Sequence, residues 1–266
     1  MRWASNQPES FMTESREHEL RNAASILIDK RTLGETVADL SPELQPVEMD
    51  EIYFVQDLVA AAFGPVGGYK IGAPTPDASP SFAPMPAAWI NPSGSTLSGP
   101  HWRLRVLEAE IAFLVGTDLP PRETPYSREE VLAAMASCHP AIEVLESALT
   151  EPTKAARGSS QGDISMNGGF VPGPAVKNWQ SIDFSQERVT VTVNGEVLVE
   201  RVGSNTSGDF LRLLPFLANE GAARTGGLKR GQWITTGSWT GNTPVGAGAH
   251  CVAEFATAGK AELTFA

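Results

Sequence analysis

The segment Val106 to Gly116, VLEAEIAFLVG, constrains this chain more than any other. Its apolar character and β-branched residues predict a strand. Side chains alternate along a strand, so Leu107, Ala109, Ile111 and Phe113 share one face. Glu108 and Glu110 share the other, ~6–7 Å apart along the chain. Ala112 and Leu114 continue that second face with apolar groups. Two carboxylates on a largely apolar face repel each other and lose hydration. Two arrangements relieve this: a solvated strand face, or a cation held between the acids. Oxygen ligands alone suit a hard ion, Mg2+ or Mn2+, rather than Zn2+. A third acid, Glu143, sits in the strand-like stretch Pro140 to Val144 and reads either as a further ligand or as an exposed edge residue. The four histidines are scattered and offer no competing metal spacing.

Composition bounds the class. The chain has 266 residues, 41% hydrophobic, which suffices for a sizeable core and argues against general disorder. No apolar run approaches ~18 residues, so no membrane span is expected. The N-terminal MRWASNQPESFMTES lacks the apolar stretch of a secretory signal. With only two cysteines, Cys138 and Cys251, the expectation is a reduced, cytoplasmic enzyme without a disulfide framework. A net charge of −11 argues against nucleic acid or an anionic membrane as partner. A small anionic substrate remains compatible, because a metal or one lysine reverses the field locally.

Periodicity places two helices early, one through Leu20 to Ile28 and ending at Gly34, one through Ile52 to Ala62 and ending at Gly64. Residues 1 to about 13 read as a disordered tail. Gly67 to Gly72, GGYKIG, is a short strand, and the Pro- and Ser-rich stretch from Ala73 to Pro100 reads mostly as a loop that covers the site. Ser127 and Glu130 form a capping box for a short helix through Cys138, ended near Pro140. Lys154 to Asn167 is a further loop, followed by a short strand with a turn at Pro172. Asn194-Gly195 marks a type I′ hairpin between alternating strands. Phe210 to Ala223 reads as a helix, and Lys229 to Thr236 and Ala249 to Phe255 as strands. Helices first and strands after favour α+β over regular βαβ alternation. The chain divides into a tail and helical annex, 1–66, and a β domain, 67–266.

Two further features carry chemistry. Lys70 lies between Tyr69 and Ile71 on the glycine-bounded strand, where glycines let backbone approach a ligand. It is either a snorkelling strand lysine or a proton-handling group, its ammonium disfavoured by burial and by a nearby cation. The segment Thr236-Gly237-Ser238 follows a strand and offers hydroxyls and amides to an oxyanion, though such residues are also ordinary turn material. Neither GxGxxG nor GxSxG occurs.

Together, the Gly68 to Gly72 strand, the Glu108 to Phe113 strand, Asp118-Leu-Pro, the Pro140 to Val144 segment and the closing Thr236 to Ser238 resemble the fumarylacetoacetate hydrolase superfamily. They are closest to its branch of 2-hydroxypenta-2,4-dienoate (2-keto-4-pentenoate) hydratases and 4-oxalocrotonate decarboxylases. The resemblance runs from about Leu20 to the C-terminus. It implies a mixed β-roll with N-terminal helices, assembled as a homodimer or as several dimers. It implies Glu108, Glu110 and Glu143 as ligands of Mg2+ or Mn2+, Lys70 and Asp163 as catalytic residues, and Tyr69, Thr236, Gly237 and Ser238 around the substrate. The implied activity is that of a lyase of aromatic catabolism on a small 2-oxo acid, through a metal-stabilised enolate: hydration of a 2-hydroxydienoate first, with decarboxylation, acylpyruvate-type hydrolysis or a non-catalytic partner subunit as alternatives. The chain departs from the hydratases in two places. Ala78 to Phe82 holds no acid where they carry one, Asp77 being out of register, and Ile164-Ser165-Met166 follows Asp163 where they carry small polar residues.

Overall fold

The computed structural model describes residues 12–221 and 224–266. The tail expectation for residues 1–11 falls outside these. Thr13 already belongs to the fold: its hydroxyl accepts the Arg16 amide at 3.2 Å and caps helix α1, Glu14–Leu33. Gly34, at φ 67°, closes that helix in the left-handed conformation that glycine adopts at least cost. Helix α2, Met49–Ala62, packs against α1 through Leu20, Ala23, Ala24 and Leu27 on one side and Val55, Val59 and Ala60 on the other. These are the spacings that the apolar periodicity predicts. The Arg16 guanidinium fastens the pair: it donates to Glu51 at 2.7 and 2.9 Å and to the Glu43 and Gln45 carbonyls at 2.6 and 2.7 Å.

The remaining elements are β1 Val66–Gly72, β2 Ser81–Pro86, β3 Ser95–Leu97, β4 Val106–Val115, α3 Arg128–Ala133, β5 Met135–Leu145, α4 Arg157–Gly162, β6 Asn167–Pro172, β7 Arg188–Val193, β8 Glu196–Val202, α5 Leu213–Phe216, β9 Trp233–Thr235, β10 Thr243–Pro244, β11 His250–Phe255 and β12 Gly259–Phe265. They form two sheets. One has the order β2-β1-β9-β4-β5-β6, with β10 also paired to β4; the other has the order β3-β12-β11-β7-β8. The β1–β9 and β3–β12 pairs are parallel, the rest antiparallel. The main core contains Ile71, Leu107, Ile111 and Phe113 from the first sheet and Val189, Val191, Phe255 and Leu263 from the second. The helical annex adds a second core that includes Ala83, Ala148, Leu149 and Ile164. This is the mixed α+β roll with N-terminal helices that the sequence leads one to expect.

Several local readings change. Ser81–Pro86 is a mostly buried strand pairing with β1, so the expected 73–100 loop is interrupted and its stretch before that strand is residues 73–80. The helix after the Ser127 capping box ends at Ala133, and β5 runs on through Pro140, which stands opposite Ile111 just before the pairing with β6 begins. A short helix, α4, occupies part of the 154–167 loop, and β12 completes the second sheet. Gly68 of β1 serves strand packing: a Cβ there would lie 2.3 Å from the Trp233 carbonyl oxygen of the parallel neighbour.

The Arg16 guanidinium bonded to Glu51 holds that carboxyl down at about 2 from an ordinary 4.5, burial opposing the shift. A carboxylate depressed in the folded state stabilises the fold above its unfolded pKa and ceases to do so as pH falls through the folded value. Glu51→Gln should therefore lower Tm by about 2–4 °C at pH 7, on the scale of roughly 1 kcal/mol for a well-formed bidentate pair. The difference should shrink as pH is lowered from about 4.5 towards 2, followed by calorimetry.

Candidate metal centre and active site

The site is laid across five neighbouring strands of one sheet. In the antiparallel β4–β5 pair Glu108 stands directly opposite Glu143, so the two side chains share a face, and Glu110 follows two residues on. One ligand oxygen from each of the three lies within 4.8 Å of the others. Like charges directly opposite on a sheet are destabilising. Here they are also buried: Glu110 is 1% exposed and Glu143 0%.

Neighbouring strands supply the partners. Lys70 on β1 and Thr235 on β9 are in register, and Thr235 pairs in turn with Ala112 on β4. The Lys70 Nζ lies 2.7 Å from Glu143 Oε1 and donates to the Ser165 carbonyl at 3.0 Å. The Thr235 hydroxyl donates to Glu110 Oε2, and the Gly237 amide donates to the same oxygen at 2.9 Å. Gly237 has φ 88°, which turns that amide inward. From β6, the Asn167 amide donates to Glu143 Oε1 at 2.9 Å.

Burial pushes the Glu110 carboxyl well above the ordinary range, and repulsion from Glu143 and Glu108 adds to it. Burial likewise raises Glu108, with Lys70 opposing and Glu143 reinforcing the shift. For Lys70, burial works against the ammonium, but attraction to Glu143, Glu108 and Glu110 outweighs it and the group sits above the ordinary lysine value. The fall expected beside a cation is thus opposed by the carboxylates, one of which touches the amine.

The donor set fits a hard divalent cation. Three carboxylates face one ammonium, and Glu143 Oε2 is buried with no hydrogen-bond partner among the described residues. An orphaned buried carboxylate oxygen carries a large desolvation cost, which coordination removes. The acids border a cavity of about 310 Å³ that is also lined by Lys70, Gly72, Pro74, Ser81, Ser165, Thr206, Gly237 and Ser238.

The expected site residues divide accordingly. Lys70, Glu108, Glu110, Glu143, Gly237 and Ser238 meet at this cavity. Tyr69 does not: it follows the alternation of β1 to the opposite face, where its hydroxyl bonds Thr225 at 2.9 Å. Thr236 is fully buried and donates to the Ile111 carbonyl, while its neighbour Thr235 takes the place facing the acids. Asp163 also lies elsewhere. Its carboxylate is consumed by Arg31 Nε at 2.5 Å, the Ser147 hydroxyl at 2.6 Å and the Ala148 amide at 2.8 Å, and it does not line the cavity. Asn167 and Thr235 were legible only through strand parity, as polar residues on the acid-bearing face. Thr206 comes from a loop that no motif marks, while Ser81 and Ser165 lie in the two segments that depart from the hydratase pattern.

A family model described as the fumarylacetoacetate (FAA) hydrolase C-terminal domain matches residues 64–266. No curated protein sequence matches the chain. Among solved structures, the chain is similar to 4-oxalocrotonate decarboxylase from Pseudomonas putida G7 complexed with magnesium and adipate, with TM-score 0.81, 22% identity, and coverage of 96% of this chain and 99% of that one. The same decarboxylase with calcium and acetate gives TM-score 0.80 at 22% identity, again over 96% and 99% of the two chains. A 2-hydroxyhepta-2,4-diene-1,7-dioate isomerase from Mycobacterium marinum gives TM-score 0.52 at 16% identity over 76% of this chain and 75% of that one. At these identities the likeness to the solved structures is one of fold. The family match, covering the two sheets and every acid of the site, shows that the chain belongs to the fumarylacetoacetate hydrolase family.

Proposed function

We propose that this protein is a divalent-metal-dependent enzyme that moves a proton on a small 2-oxo acid, acting as a hydro-lyase of the 2-oxopent-4-enoate hydratase type. The observation that carries the proposal is the lysine braced against a three-carboxylate cluster, two members of which are buried, at one cavity. Glu108, Glu110 and Glu143 would hold the ion, Mg2+ or Mn2+ by donor chemistry. Magnesium in the similar decarboxylase structure supports the choice. When bound, the ion supplies Lewis acidity towards the oxygens of a 2-oxo acid.

The chain's own groups do the rest. Lys70 has two acceptors fixed by the protein, Glu143 Oε1 and the Ser165 carbonyl, which leaves a third N–H for the substrate. From that position it passes a proton at Nζ to or from the substrate. The Thr235 hydroxyl and Gly237 amide keep Glu110 in place, so that only its other oxygen remains for an ion. Ser81 offers a hydroxyl to the substrate's carboxylate, whereas Thr206 spends its own on the Ala73 carbonyl at 2.9 Å and Ser238 bonds the Glu108 carboxylate.

Decarboxylation is the second reading, and one observation favours it. Among the described residues lining the cavity, no acid outside the three ligands is present to activate a water molecule, and Asp163 is fully engaged elsewhere. Assaying a 2-hydroxydienoate for hydration and an oxalocrotonate for CO2 release separates the two.

Glu110→Gln should weaken Mg2+ binding sharply in titration calorimetry while leaving the circular dichroism spectrum unchanged; parental affinity in that variant would remove the assignment. Added Mg2+ should raise the parent's Tm, since the ion binds only the folded state.

Solvent deuterium incorporation into a simple 2-oxo acid reads proton transfer whichever reaction follows it. Lys70→Met keeps the alkyl stem and should lower the exchange rate roughly 10²–10⁴-fold, the usual scale for one acid–base group. Exchange at the parental rate would mean that Lys70 only fills space.

A further inference from the structure

Three consecutive residues other than glycine, Ile164, Ser165 and Met166, have left-handed backbone with φ 43°, 50° and 64°. L-residues visit this region singly and at a cost, most of all a β-branched isoleucine. A turn of this kind persists only where its surroundings impose it.

The surroundings here come from the helical annex. Arg31, in the last turn of α1, is 6% exposed at its side chain and spans both ends of the turn. Its Nε donates to Asp163 Oδ1 at 2.5 Å and its Nη2 to the Asp163 carbonyl at 3.2 Å, before the turn. Its Nη1 donates to the Asn167 carbonyl at 2.9 Å, after it. The same Nη2 donates to the Glu146 carbonyl at 3.0 Å, just beyond β5. Ile164 is itself buried in the core shared with α1 and α2. The Gln56 amide of α2 donates to the Gln161 carbonyl at 2.8 Å and approaches the Ser165 hydroxyl at 3.3 Å.

What the turn presents is functional. Its central carbonyl, on Ser165, accepts Lys70 Nζ, and the residue that ends it, Asn167, donates to the carboxylate oxygen that Lys70 also approaches. Both outputs of the turn converge on the Lys70–Glu143 pair.

We propose that Arg31 is a positioning residue of the active site: by bridging Asp163 and Asn167 it holds the left-handed 164–166 turn, which fixes the Lys70 amine. This rests on the functional reading above for the role of Lys70. The clamp also explains why Asp163 belongs to the active-site architecture while lying outside the cavity. Only a guanidinium makes all of these contacts at once, because its planar fork reaches several carbonyls and a carboxylate together.

The test combines a spectroscopic readout with a kinetic cycle. In metal-free protein labelled with 13C at lysine Cε, the Lys70 signal is identified by its loss in Lys70→Met. Arg31→Met should shift or broaden that signal. In the loaded protein, Arg31→Met should lower kcat for deuterium exchange roughly 10²-fold, the scale of a small misplacement of a reacting group, while KM and Mg2+ affinity change little. In the Lys70→Met background the same change should cost nothing further, because residues acting through one group are not additive. An unmoved Lys70 signal, or losses that multiply in the double variant, would overturn the assignment and leave Arg31 a role in stability alone. If Arg31→Met does not fold, Arg31→Lys carries the same measurements: it keeps a charge for Asp163 but cannot also reach the Asn167 and Glu146 carbonyls. A parent protein that exchanges no deuterium removes the functional reading, and the metal-free spectra still decide whether Arg31 controls the Lys70 amine.

Discussion

Three carboxylates on one sheet face, two of them fully buried, form the constraint around which the rest of the site is arranged. Glu108 and Glu143 are directly opposite in the β4–β5 register, so their proximity is built into the strand pairing. Every neighbouring strand contributes something that offsets the repulsion: an ammonium from β1, a hydroxyl from β9, an amide from β6 and a backbone N–H from the turn after β9. One carboxylate oxygen is still left over, on Glu143. The protein thus compensates the charge in part and leaves a remainder that a divalent ion can neutralise.

The two-layer arrangement makes this tolerable. The opposite face of β4 carries Leu107, Ile111 and Phe113 into the main core, so the register that places the acids is fixed by apolar burial on the other side. Because side chains alternate with period two, a slip of one residue would put carboxylates into that core. The cost of such a slip is what secures the functional geometry.

Much of this was legible in the sequence. The alternation of VLEAEIAFLVG gave the paired acids and the buried face, the spacing of Leu20 to Ile28 gave the annex, and Asn194-Gly195 gave the hairpin, since each rests on a local rule. Choices between adjacent residues were less secure. The resemblance implies Tyr69 and Thr236 beside Lys70 and Gly237, but parity sends one to the opposite face, and the other spends its hydroxyl on the Ile111 carbonyl. The resemblance implies a catalytic role for Asp163, whereas its partners, Arg31 and Ser147, lie 132 and 16 residues away and bear no motif. Contacts across such separations depend on how helices dock onto a sheet, which no local pattern encodes. The 81–86 strand was hidden by its prolines, which a strand at the edge of a sheet accommodates.

The insertion of β9 between β1 and β4 has a consequence for how the molecule comes into being. Strands β1 and β4 are separated by fewer than fifty residues, yet they have no pairing with each other; the three residues Trp233–Thr235 fill the space between them. A chain emerging from the ribosome can therefore complete both helices, the β1–β2 hairpin and the β4–β5–β6 meander while its central sheet still has an open seam. Closing that seam is a long-range event that waits for Trp233–Thr235, the kind of step that dominates folding time in proteins of high contact order. Lys70 and the carboxylates stand on the two sides of that seam, so the pairings of β9 with both strands set the distance between them.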